Sequence, residues 1–240
     1  MRFIIDLIKN KINKKKEFKI ILVRHGESEG NVDPNKYMTI PDHNIRLTEN
    51  GIQQAINAGK EIKKIINDEP LNVYVSPYMR TKETWKGIKK GLNRNNIILE
   101  FDPRIREQEH KIFKTKEQRI NVFKEQRKFS KFFYRFGNGE SGADVHSRVC
   151  SFLNELAIKR VVFKERKDYL IVSHDITLSS ILMKFLNLSI EEFDQLIQPE
   201  KCAPIVLKTT DFKKVELDLE NTFGNKELLE MLSKIKEKKS

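Results

Sequence analysis

Two histidines, two arginines and one glutamate stand in this sequence where each follows the end of an apolar run. Arg24 and His25 close the run Ile20-Ile21-Leu22-Val23. Arg80 comes after Leu71 to Val75, Glu107 after Ile97 to Phe101, and His174 after Tyr169 to Val172. Short runs rich in β-branched residues read as buried strands. An imidazole is a nucleophile near neutral pH. A guanidinium keeps its charge and offers paired donors to phosphate oxygens. A carboxyl group can carry a proton to or from a reacting atom. Phosphoryl transfer needs these three functions, and it needs them together. Strands ending at one edge of one sheet would bring them together, and in open α/β sheets that edge is where ligands bind.

The chain between these residues supplies the elements. The first strand is expected over 19–24, with Gly26 letting the backbone turn sharply after it. A polar loop runs to about Pro41. Ile52, Ala55, Ile56, Gly59, Ile62 and Ile66 keep helical spacing, with Thr48 as N-cap and an end near Asp68, before Pro70. Ser76-Pro77 reads as a cap followed by proline at the first helical position, which puts Arg80 in the first turn. Residues 117–135 are expected to form a helical, basic and aromatic insertion. A long helix over 143–165 would turn Val145, Val149, Phe152, Leu153 and Leu156 to one side, and Leu178, Ile181, Leu182 and Phe185 would face inward after His174. Ala203 to Leu207 and Lys213 to Leu217 form a terminal hairpin on this reading. From Asn225 a helical pattern carries Leu228, Leu229, Leu232 and Ile235 into a lysine-rich, mobile end. Strands alternating with helices predict the α/β class: a single-domain three-layer α/β/α fold with a mainly parallel sheet. The expected division is a basic lead over 1–17, a domain over 18–222 with its insertion near 115–140, and a basic helical tail over 223–240.

The chain has 240 residues, 38% of them hydrophobic, enough for one domain with a substantial core. No apolar run spans a bilayer, the N-terminus has no small-residue cleavage site, and Cys150 and Cys202 make no disulfide framework. A cytoplasmic location is expected. The formal net charge of +12 fits an anionic substrate, although abundant Lys, Asn and Ile point mainly to compositional bias. The charge comes with no nucleic-acid recognition motif, and the short basic lead would touch acidic lipid only marginally, without stable membrane anchoring. The oligomeric state stays open, a homodimer included.

Arg24-His25-Gly26-Glu27 resembles the signature of the histidine phosphatase, or phosphoglycerate mutase-like, superfamily. Four further segments agree in order and spacing. Leu47-Thr48-Glu49-Asn50-Gly51-Ile52-Gln53-Gln54-Ala55 resembles its Leu-Thr-x-x-Gly-x-x-Gln-Ala segment, Ser76 to Thr84 its second arginine motif, Arg106-Glu107-Gln108 its acid motif, and Val172-Ser173-His174-Asp175 its second histidine motif. Lys111 stands where relatives often have glycine, and Asp175 where many have glycine. The run Lys128 to Phe136, followed by Asn138-Gly139-Glu140-Ser141, resembles a branch of broad-specificity acid phosphatases.

The resemblance implies that His25 attacks phosphorus and forms a phosphohistidine, which water then hydrolyses. Arg24, Arg80 and His174 would clamp the phosphoryl group, His174 adding a third positive charge if protonated, and Glu107 would act as general acid and base. A neighbouring phosphate would raise the Glu107 pKa by like charge. Asn31, Ser28 and Asp175 are expected substrate contacts, and Lys131 and Arg135 the substrate contacts from the insertion, which would form either a lid or a stripe packed on the core. Glu140 and Ser141 read as turn and cap residues. His43, His110 and His146 carry no motif support and read as surface or loop residues, with His110 at the pocket wall as the one exception considered. No metal or other cofactor is expected. The implied substrate is a small phosphomonoester. Two alternatives stay open: a phosphoglycerate mutase primed by 2,3-bisphosphoglycerate, and a non-catalytic phospho-ligand binding protein.

Overall fold

A computed structural model describes residues 17–66, 69–110, 113, 115–162, 167–210, 212 and 214–239. The basic lead up to Lys16, the helix end at Asp68, Lys111 of the acid motif and Lys213 of the hairpin lie outside the described residues.

The sheet has six strands: β1 (Phe18–Arg24), β2 (Leu71–Val75), β3 (Ile97–Phe101), β4 (Tyr169–Ser173), β5 (Ile205–Thr209) and β6 (Val215–Leu217), in the order β3-β2-β4-β1-β5-β6. The first four are mutually parallel, and β5 and β6 add an antiparallel edge. Between them run α1 (Glu29–Val32), α2 (Lys36–Thr39), α3 (Glu49–Ile65), α4 (Met79–Leu92), α5 (Lys116–Phe129), α6 (Gly142–Val162), α7 (Asp175–Leu186), α8 (Ile190–Gln195) and α9 (Lys226–Lys239).

Alternation along β1 builds the three layers. Ile20 and Leu22 face a core shared with Phe152 and Leu153 of α6 and Ile181 and Leu182 of α7. Ile21 and Val23 face a second core with Ala55 and Ile62 of α3 and Trp85 and Ile88 of α4. Both faces are covered, so β1, β2 and β4 read as nearly unbroken apolar runs. The central pair β1 and β4 is in register at Arg24 and Ser173, so His25 and His174 leave the sheet side by side.

Several expectations change in detail. Helix α4 starts at Met79 with Tyr78 as its N-cap, so Pro77 precedes the helix. The reason is that the Ser76 hydroxyl is taken by His174, 2.7 Å away; Arg80 still falls in the first turn. The insertion helix stops at Phe129, because the Ser130 hydroxyl accepts the amides of Phe132 and Phe133 and closes a turn. Its aromatic residues divide accordingly: Phe132 and Phe136 are buried, Phe129 and Phe133 exposed. Phe185 sits at the rim of the core, half-buried. The tail packs on the domain through its first turns. Leu228 and Leu232 enter the core on the α6/α7 side, and Asn225 exchanges two hydrogen bonds with Glu200.

Candidate active site

The loop after β1 is held from three sides. The amide of Gly26 donates to Thr84 Oγ1 of α4 (3.0 Å), and the amide of Glu27 donates to Gln54 Oε1 of α3 (2.9 Å). Thr48 caps α3 through the Gly51 amide, and its hydroxyl donates to the Glu27 carboxylate (2.7 Å). The threonine, glycine and glutamine of the second motif therefore act as one bracket for the first. Gly26 is needed for proximity rather than for a sharp turn: a Cβ there would lie 2.5 Å from the Gly51 carbonyl oxygen. A Cβ on Gly51 would lie 2.0 Å from the Glu27 carbonyl oxygen. Gly51→Ala is therefore expected to cost about 1–3 kcal/mol by overpacking and to lower turnover by moving the loop. Thermal melting and initial rates check this, and a variant as stable and active as the parent would contradict the bracket.

His25 is 3% exposed, and its Nδ1 lies 2.8 Å from its neighbour's carbonyl, Gly26 O. A carbonyl only accepts, so the proton is on Nδ1, and Nε2 keeps its lone pair. Burial, then the charges of Arg80 and Arg24, hold the His25 pKa well below the usual imidazole value. The ring is thus a neutral base with a fixed tautomer at the cavity wall.

Three buried nitrogens near it have no hydrogen-bond partner among the described residues. Arg24 Nη1 donates to Pro199 O (2.9 Å), while its Nε is buried without a partner. Arg80 Nη1 donates to both the carbonyl and the carboxylate of Asp42 (2.7 and 2.8 Å), while its Nε is likewise unpaired. His174 pairs with Ser76 through Nε2, and its buried Nδ1 has no hydrogen-bond partner. Buried polar groups left unpaired are costly; Arg24 and Arg80 line the same cavity as His25, and the His174 ring lies beside it with centroids 5.3 Å apart. An anion with several acceptor oxygens would satisfy them. Burial, followed by Arg80 and His25, holds the His174 pKa well below the usual imidazole value.

Glu107 lies 3.6 Å from both Arg80 Nη2 and His174 Nδ1. Its pKa is raised to about 7, chiefly by burial; Arg80 opposes the shift, and Asp42 and Asp175 add to it. Like charge is thus a secondary cause, and burial alone is the largest. Its loop is held by Glu140, whose carboxylate accepts from Arg106 (2.7 Å), from Arg148 (2.9 and 3.0 Å) and from the Glu109 amide (3.0 Å). Arg148 in turn donates to Glu107 O (3.1 Å), and Thr177 donates to Arg106 O (2.8 Å). Glu140 is therefore a clamp on the acid loop, while Ser141 does cap α6, exchanging hydrogen bonds with Asp144.

The cavity in front of these groups measures about 1120 Å³. Asn31 lines it, and its Oδ1 accepts the Ser28 amide (3.1 Å), which leaves its NH₂ as a donor. Asp175 opens α7 at the wall, its carboxyl pushed up by burial. Lys131 also lines the wall but spends a bond on Leu196 O (2.6 Å). Ser28 is fully buried and does not line the cavity; its backbone pairs with Leu47. Arg135 does not reach the cavity. It binds the Asp144 carboxylate (2.7 Å) and Gly139 O (2.8 Å) and closes the turn before α6. His110 does line the wall, edge-on to Phe136 and Phe123, and burial lowers its pKa to about 4. The insertion serves as both wall and packing: Arg119, Phe123 and Gln126 of α5 line the cavity, while Val122 and Phe136 form a small core of their own with Phe113. Sequence reasoning missed Asp42, the Ser76 hydroxyl and the Arg148–Glu140 pair. Only Ser76 carried a signal, its place one residue beyond a strand.

Atoms of His25, Glu107 and His174 lie within 4.8 Å of one another. Two guanidinium groups share the pocket and would disfavour a divalent cation there.

Comparison with known proteins gives the family. The sequence pattern of the "Histidine phosphatase superfamily (branch 1)" matches residues 20–222. Phosphoglycerate mutase-like protein AT74 of Arabidopsis thaliana is 41% identical over 194 residues, which is 75% of this chain and 61% of AT74, so the chain spans about three-fifths of that relative. Broad-range acid phosphatase DET1 of Saccharomyces cerevisiae is 26% identical over 282 residues, covering 79% of this chain and 84% of DET1. Among solved structures, Bacillus stearothermophilus YhfR superposes with a TM-score of 0.69 at 22% identity, over 86% of this chain and 98% of its own, a likeness of fold. The matched pattern runs from β1 past β6 and takes in every strand-end residue described above, and the chain belongs to the histidine phosphatase superfamily.

Proposed function

We propose that this protein hydrolyses small phosphomonoesters through a phosphohistidine on His25, without a metal or other cofactor. The observation that carries the reading is the set of buried nitrogens without a hydrogen-bond partner among the described residues, Arg24 Nε, Arg80 Nε and His174 Nδ1, near an imidazole whose tautomer leaves Nε2 free. The phosphoryl oxygens take those donors, with the Asn31 amide as a further one. His25 Nε2 then forms a bond to phosphorus as the ester P–O bond breaks. Glu107 gives its proton to the leaving alkoxide. In the second half, the Glu107 carboxylate takes a proton from water as that water attacks phosphorus, the P–N bond breaks, and phosphate leaves. Donors fixed before the reaction stabilise the charge that spreads over the equatorial oxygens.

The name of DET1 as a broad-range acid phosphatase supports hydrolysis as the reaction. So does the size of the cavity, about 1120 Å³, which leaves room for water beside a small ester; a mutase has to keep water from its phosphohistidine. The deciding experiment incubates purified protein with 3-phosphoglycerate, with and without 2,3-bisphosphoglycerate, and with an aryl phosphate in parallel. Free phosphate without 2-phosphoglycerate is expected. Efficient isomer formation stimulated by the bisphosphate would overturn the reading in favour of a mutase, and phospho-ligand binding without turnover would favour a binding protein. Turnover is also expected to survive a chelator, and metal dependence would contradict the proposed electrostatics.

A further inference from the structure

We propose that Asp42 is a positioning residue for the phosphoryl site: it holds one edge of the Arg80 guanidinium so that the opposite edge is presented to substrate rather than to Glu107. The inference rests on the hydrolytic reading above and adds a residue outside all five motifs.

Asp42 begins a single 3₁₀ turn, Asp42–Asn44, directly after Pro41. Its carbonyl and its Oδ1 both accept from Arg80 Nη1, so one side chain and its own backbone consume both protons of that nitrogen. Arg80 is 1% exposed, and the Asp42 side chain is 31% exposed. The guanidinium is left with Nε, buried and unpaired, and Nη2, 3.6 Å from Glu107. The Nε–Nη2 edge is the fork that matches two phosphoryl oxygens. An acidic residue beside a phosphate site repels the substrate, so its presence needs a reason. Without Asp42, Arg80 has one carboxylate within reach, Glu107. Closing that gap would neutralise the fork and pull the proton off the acid.

The other groups facing Glu107 do not replace Asp42. His174 and His25 are held neutral chiefly by burial, and so is Tyr78, its pKa raised to about 12. Tyr37 of α2 is likewise pushed up, Asp175 of α7 is pushed up by burial, and Arg148 of α6 is spent on Glu140 and backbone carbonyls.

Two variants separate anchoring from charge. Asp42→Asn keeps an acceptor for Nη1 and removes the charge; Asp42→Ala removes both. Rates with an alkyl phosphomonoester are measured against pH, and inorganic phosphate binding is followed by calorimetry. Asp42→Asn is expected to move the alkaline limb of kcat/KM down by about half to one pH unit. Asp42→Ala is expected to raise KM about tenfold and to bind phosphate about tenfold more weakly than Asp42→Asn. An unmoved limb with equal phosphate affinity in the two variants would overturn the proposal, as would equal losses that track lowered melting temperature. The phosphate titration needs no turnover. A parent protein that releases phosphate from no ester would sink the hydrolytic reading, while the ordering of the two variants would still test Asp42.

Discussion

Replacing His25 with alanine is expected to lower phosphate release by about four to six orders of magnitude, the scale seen when a covalent nucleophile is removed, with the fold retained. The side chain is small, neutral and bonded to one carbonyl, so its loss leaves one acceptor unpaired, at a cost of about 1–3 kcal/mol. The bracket formed by Thr48, Gly51, Gln54 and Thr84 acts on the backbone of residues 26 and 27 and does not use the imidazole. His174 cannot take over. Its Nε2 is committed to Ser76 and its Nδ1 faces Glu107, with the two imidazole centroids 5.3 Å apart. Assay of an aryl phosphate together with a thermal melt checks both halves. Activity within a hundredfold of the parent would show that another group is the nucleophile.

Glu107→Gln is expected to slow hydrolysis of alkyl esters by about 10²–10⁴, the usual contribution of a positioned acid, and to slow formation of the phosphoenzyme from an activated aryl ester far less. Glutamine fills the same space and has no proton to give to an alkoxide. The parent should also show the matching pH dependence. The acid must be protonated, so kcat/KM is high below the Glu107 value of about 7 and falls as pH rises through it. His25 must be neutral, and its pKa lies well below the usual imidazole range, so its own limb falls at lower pH. Activity should therefore peak on the acid side of 7, and the alkaline limb should vanish in Glu107→Gln. Equal loss of phosphoenzyme formation from alkyl and aryl esters would contradict the assignment of the leaving-group acid.

Residues at strand ends were the legible part of this protein. A buried strand announces itself by its apolar run, and the residue after it has little choice of place, so the sequence puts His25 and His174 at one edge, with Arg80 in the first turn of the helix that follows β2. Features that depend on competition between partners were not legible. Ser76 looks like a cap because serine often is one, but His174 claims its hydroxyl. Arg135 looks like a substrate contact because it is cationic and near the pocket in sequence, but Asp144 holds it outside. The aromatic run through Phe136 keeps helical spacing, yet Ser130 stops the helix by accepting two amides of the next turn. Asp42 lies in a polar loop with no periodicity, and its meaning comes entirely from the guanidinium that arrives from α4.

The most direct test of the central claim is to trap the intermediate. Protein would be mixed with a ³²P-labelled phosphomonoester, quenched in alkali within a turnover and digested. The account predicts an acid-labile, alkali-stable label on the peptide that contains His25, absent from His25→Ala. A label on a serine, a carboxylate or His174, or turnover with no labelled protein at any time, would contradict it.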